Sequence, residues 1–187
     1  MRIAKEANGG NAGRFNVSVS VANFIPKPFT PFQWVGQDED FTEKHNFLHE
    51  KMRIKGVSFH YHDDPVSKLE AIFARGDRRT GYFLERAWRN GCTFDSWSEQ
   101  FYLAGWDEAR MAFEAKYGYS TEFYRTRVRP FSEVLPWDHI DCGVTKDFLQ
   151  KEMERAAQAI TTQDCRLACN GCGVNQVTDC PLGGIYG

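Results

Sequence analysis

Residues 15–21 read FNVSVSV, with Phe15, Val17, Val19 and Val21 on one side of a strict alternation and Asn16, Ser18 and Ser20 on the other. A period of two puts successive side chains on opposite faces of an extended chain, so the stretch predicts a β-strand with one apolar and one small polar face. Residues 54–62, IKGVSFHYH, repeat the pattern: Val57, Phe59 and Tyr61 share one face, and Ser58, His60 and His62 the other. Between the two, Phe41, His45, Leu48 and Met52 recur at helical spacing across residues 40–53. Strand, helix, strand is a βαβ unit, which predicts parallel strands joined right-handedly.

The doubled polar face narrows the fold class. Strands of a parallel sheet covered by helices on both sides are apolar on both faces. A polar inner face points instead to a barrel or half-barrel with a ligand-filled lumen.

Pro26, Pro28 and Pro31 forbid regular structure after the first strand and lay out an extended loop carrying Phe24, Phe29, Phe32 and Trp34. A loop this aromatic packs against something or binds something. From Asp64 onward the pattern is helical, over residues 66–74, 80–90, 96–104, 107–116 and 145–160, with Gly91 and Gly118 at C-cap positions. Asp95-Ser96 reads as the N-cap of the third of these helices. Residues 1–13, rich in Gly, Asn and charge, read as a disordered lead-in.

With 42% hydrophobic and 26% charged residues the composition is that of a globular protein, and no apolar run approaches the roughly 20 residues that span a bilayer. No apolar segment follows the basic N-terminus as in a secretory signal, so the expected compartment is the cytoplasm. A net charge of −2 supplies no general attraction to a polyanion. GxxxxGK, GxSxG and HExxH are all missing, which removes most support for a hydrolase or nucleotidase.

Six cysteines in a reducing compartment predict thiols and thiolate ligands rather than disulfides. Three of them cluster in residues 164–173, DCRLACNGCG, where Asn170-Gly171 and Gly173 supply tight turns that can aim N–H groups at the sulfurs of Cys165, Cys169 and Cys172. A zinc ion would need a fourth ligand, for which Cys142, Cys180 and His139 are candidates. His60 and His62 could ligate metal or move protons. Arg75, Arg78 and Arg79, in RGDRR, could clamp phosphate or carboxylate. The run TEFYRTRVRPF interleaves rings with Arg125, Arg127 and Arg129, a pattern compatible with RNA. Cys92 reads as a small buried hydrophobe.

Taken together, VSVSVANFIPKPFTPFQWVGQ, VSFHYHDDPVSKLEAIFARGDRRTGYFLERAW, CTFDSW, LPWDHIDCGVTKDFLQKE and DCRLACNGCG resemble the C-terminal part of cobalamin-binding-domain radical S-adenosylmethionine (SAM) proteins. The resemblance implies an α/β fold: the last βαβ part of a partial TIM-like radical-SAM barrel in residues 14–62, a mainly helical extension in 63–163 and a Cys-rich metal-binding tail in 164–187. It implies that Asn16, Ser18 and Ser20 line the end of the lumen, that Lys27, between Pro26 and Pro28, closes it near substrate, and that His60 and His62 are further candidates for that wall. In such enzymes a CxxxCxxC loop after the first barrel strand holds the [4Fe-4S] cluster that cleaves SAM. Here that spacing lies far downstream of both strands, so the tail is expected to be an accessory site for an iron–sulfur cluster or zinc, held by Cys165, Cys169, Cys172 and Cys142. The SAM cluster and cobalamin would belong to an N-terminal portion of the same oxidoreductase, without which this fragment is expected to be inactive. Its substrate would be a nucleic acid, RNA in particular, or another macromolecule. The alternative is a small zinc-stabilised RNA-binding adaptor.

Overall fold

The computed structural model describes Glu6, Gly9 and residues 16–180. The lead-in expected over residues 1–13 lies almost wholly outside the described residues, as do Phe15 and the last seven residues. Strand β1 (Val17–Val21) pairs in parallel with β2 (Val57–Tyr61), in the register Val17↔Val57 to Val21↔Tyr61. The helix between them, α1 (Thr42–Lys51), is shorter at both ends than the spacing predicts. Asp40 lies one residue before the N-cap Phe41, its carboxylate accepting from the Thr42 N–H at 3.0 Å and the Thr42 hydroxyl at 2.7 Å.

Five more helices follow: α2 (Asp64–Arg75), α3 (Thr80–Arg89), α4 (Leu103–Tyr117), α5 (Glu122–Thr126) and α6 (Lys146–Ala157). Among the described residues the fold is therefore mixed α/β, with six helices and one two-stranded parallel sheet. None of these helices is long and apolar enough to cross a membrane.

Helical periodicity builds the main core. Phe83 and Ala87 of α3 and Trp106, Ala109 and Phe113 of α4 are the inward residues of their stripes, and they close on Ile72 of α2, Tyr124 of α5 and Cys92. Burying a ring such as Phe83 stabilises the fold by about 1.5–3 kcal/mol. A second core joins Trp34 of the proline-rich loop to Leu135, Trp137 and Leu149, so the loop packs, as one of its two expected uses requires. This core also unites residues on both sides of position 62.

Residues 96–104 differ from the predicted helix. Only a 3-10 turn forms at Ser98–Gln100, because Trp97 and Phe101 are extended on either side of it, and α4 then begins at Leu103. Gly105 in the first turn of α4 lies so close to the Tyr102 ring and the Cys92 thiol that a Cβ would come within 2.7 Å of both. Gly118 ends α4 in the left-handed region at φ 77, as a C-cap glycine should.

Candidate functional site

The turn before α6 and the cysteine tail lie against each other. Asp141 accepts the Gly143 N–H at 2.8 Å, and Gly143 turns the chain at φ 80, so Cys142 stands exposed on a tight bend. Thr145 next caps α6, its hydroxyl oxygen accepting from the Phe148 N–H at 3.3 Å. The same Thr145 donates its main-chain N–H to the Cys172 carbonyl at 2.9 Å, and its hydroxyl reaches that carbonyl at 3.4 Å.

Two glycines let the segments approach this closely. A Cβ on Gly173, at φ 97, would meet Thr145 Cγ2 at 2.5 Å, and one on Gly143 would meet Val177 Cγ2 at 2.7 Å. Residues 172–177 are thus fastened to residues 143–145, on the turn that carries Cys142. The Cys142 thiol itself faces the Val144 carbonyl at 3.7 Å.

The rest of the motif closes on itself. Asn170 Nδ2 donates to the Gln163 carbonyl at 2.9 Å, Asp164 accepts the Arg166 N–H at 2.9 Å, and the Gly171 N–H donates to Cys169 Sγ at 3.4 Å. The last contact is the N–H to sulfur interaction that Gly-rich turns were expected to supply. It stabilises negative charge on sulfur. Cys165 and Cys169 are exposed, Cys172 and Cys180 half-buried, and all are free thiols.

Cys142 also lines, with His139, a groove of about 480 Å³ floored by Trp137 and Leu149. Trp137 donates its indole N–H to Gln33 Oε1 at 2.7 Å, and Lys146 bonds the Asp138 carboxylate at 2.6 Å and the Glu133 carbonyl at 2.9 Å. Soft sulfur donors, an available imidazole and an N–H aimed at sulfur fit, in kind, a thiophilic ion or an iron–sulfur cluster. Among the described residues, no three His, Cys, Asp or Glu side chains are gathered closely enough to hold a metal ion.

The expected lumen row is present as a row. Ser18 and Ser20 stand in register with Ser58 and His60 on the solvent face of the sheet, with Asn16 and His62 exposed beside its ends. No barrel encloses them among the described residues, and the sheet has two strands. Lys27 lies apart, paired with Glu70 of α2.

The three arginines of RGDRR do not converge. Arg75 is fully buried and donates to the carbonyls of Tyr124 at 3.0 Å, Gln33 at 3.1 Å and Arg127 at 3.1 Å, so an external anion does not reach it. Burial, with Arg129 and Arg127 nearby, pushes its guanidinium down to about 9. Arg79 is turned onto Asp77, and Arg78 is exposed. Arg125 and Arg129 are also buried, Arg125 donating to Gln37, to the Asp38 and Glu39 carbonyls and to Glu122.

One network escapes a reading by period. Asn23, just past β1, donates to Asp64 Oδ1 and Ser67 Oγ, both at 3.0 Å, and its Oδ1 accepts from His45 Nε2 at 2.8 Å. His45 looks apolar by its helical position. Its only polar signal in the sequence is that Asn23 and Asp64 both follow strand ends, where parallel sheets gather polar groups.

No protein-family model, curated protein or solved structure matches the chain significantly.

Proposed function

We propose that the chain is the C-terminal segment of a radical SAM iron–sulfur enzyme, and that its own contribution is a thiolate metal site in the tail. The observation that carries the metal site is the fastening of residues 172–177 onto the turn of Cys142 through Thr145 and two close glycine contacts.

Cys165, Cys169, Cys172 and Cys142 would hold the group, with His139 in the same groove as Cys142. An iron–sulfur cluster there supplies electron transfer, and a zinc ion supplies a cross-link. The Gly171 N–H orients the Cys169 sulfur, while Thr145 holds the Cys172 main chain. The parent reaction, cleavage of SAM and radical transfer to a macromolecule, rests on the sequence resemblance and on the parallel β1–β2 pair with its serine and histidine row. The adaptor reading is weaker, because Arg75 and Arg125, two of its phosphate contacts, are turned into the core.

Anaerobic reconstitution of the purified chain with iron and sulfide, followed by metal analysis, tests the site. Stoichiometric iron with broad absorption near about 400 nm supports the cluster. That absorption should be lost in Cys169→Ser and weakened in Cys142→Ser. Stoichiometric zinc without it moves the site to a structural role, and no retained metal overturns it.

A further inference from the structure

We propose that the chain binds an organic ammonium, the primary amine of a small aromatic molecule, in a cavity at the C-terminal ends of β1 and β2. The cavity measures about 430 Å³, in the ordinary range of ligand pockets, about 300–1,000 Å³. His45 of α1, Tyr61 of β2, Asp63, Asp64 and the start of α4 line it, and it shares no residue with the groove of Cys142. The carboxyl ends of parallel strands are where such sheets bind ligands.

Two acceptors face each other in this cavity. His45 is 9% exposed, and its Nε2 lies 2.8 Å from Asn23 Oδ1. The Asn23 amide nitrogen is turned to the His62 carbonyl at 3.3 Å and to Asp64 Oδ1 and Ser67 Oγ at 3.0 Å, so the atom facing the ring is oxygen and Nε2 carries the proton. In the neutral ring Nδ1 is then an acceptor. It stands 3.6 Å from Asp64 Oδ1, beyond a hydrogen bond, and no group among the described residues bonds it. Either a second proton on the ring or a donor from outside relieves two acceptors so placed. One ammonium nitrogen at about 2.8 Å from each closes a gap of that width, and the open cavity admits it.

The rest of the lining selects a cation with an apolar body. Neither lysine nor arginine lines the cavity. Asp63 is the N-cap residue of α2, yet its carboxylate caps no N–H and has no partner among the described residues, which leaves its charge to the cavity. Among the described residues no three His, Cys, Asp or Glu side chains are close enough for a metal ion, so the cation that fits is an organic one. Tyr61, whose ring packs on His45 at 4.1 Å, forms the walls with Pro65, Phe101 and Leu103, and Tyr61 and Leu103 leave apolar surface exposed. An aromatic ring carried by the amine covers that surface. A protein lysine brings the same ammonium without the ring.

The full chain labelled with 15N is titrated with phenethylamine, with its charge-reversed match phenylpropionate and with acetyllysine amide blocked at its α-nitrogen. The Asp63 and Asp64 amides are followed, together with His45 Nδ1, whose shift reports a hydrogen bond accepted there. Phenethylamine should move all three saturably and bind more tightly than the lysine derivative, and phenylpropionate should move none. Asp64→Asn keeps an oxygen for Asn23 and removes the charge, and it should weaken phenethylamine about tenfold, the loss of one charge-assisted contact. Asp63→Asn, at an exposed position whose side chain holds nothing in the fold, should weaken it about threefold, as a rim charge does. Resonances unmoved by phenethylamine overturn the proposal, as do equal binding of phenylpropionate and undiminished affinity in Asp64→Asn. Tighter binding of the lysine derivative overturns the assignment to a free amine. In Cys169→Ser the amine should bind unchanged, so the two sites are read separately.

Discussion

At the scale of single residues, Arg75 shows how charge can be structural. The hydrogen bonds of its guanidinium go to main-chain carbonyls, of Gln33, Tyr124 and Arg127, so one side chain ties the proline-rich loop and α2 to the segment around α5. Removing it strands those acceptors in the interior, each unmet group costing about 1–3 kcal/mol. Arg75→Ala should therefore destabilise the chain by about 3 kcal/mol or more in urea unfolding, and Arg75→Met, which restores the stem but no donor, should recover only the packing part. In the sequence Arg75 was one of three arginines in RGDRR with equal claim to an anion. Nothing local distinguishes it from Arg78, because its acceptors lie 42 to 52 residues away.

At the scale of elements, glycines decide where segments touch. A Cβ on Gly36 would drive into the Thr126 carbonyl at the end of α5, where main chain rather than a flexible side chain is in the way. Gly36→Ala should cost about 3 kcal/mol, the upper end of ordinary overpacking, in thermal or urea unfolding. Gly81 in α3 has open space around its missing Cβ, so Gly81→Ala should stabilise by about 0.5–1 kcal/mol in the same measurement. The strands and most of the helices were legible because alternation and helical spacing are written in near neighbours. Helix α5 was not, since five residues, EFYRT, are too few to display a period. The stretch 96–104 misled for the opposite reason: a good capping signal at Asp95-Ser96 was overridden by the extended backbones of Trp97 and Phe101.

At the scale of the whole molecule, arginine–carboxylate pairs couple folding to pH. The Arg127 guanidinium hydrogen-bonds Glu133 and holds its carboxyl below the ordinary 4.5, and Arg79 does the same to Asp77 below 3.8. Both carboxyls bind protons less tightly folded than unfolded, so their stabilisation is complete above the ordinary values and is lost as pH falls through the lower folded ones. Unfolding free energy should hold steady near neutrality and fall below about pH 4.5, and Glu133→Gln should flatten part of that fall. By itself the sequence determined the parallel strand pair, the helical remainder, the buried Cys92 and the spacing of thiols in the tail, because each depends on residues a few positions apart. Tertiary structure alone decided that Arg75 and Arg125 face inward, that Thr145 fastens Cys172 beside the turn of Cys142, and that the Trp106 indole and the Thr121 hydroxyl are buried without a hydrogen-bond partner. Those outcomes depend on which distant groups supply acceptors, donors or empty space, and a period along the chain carries no record of them.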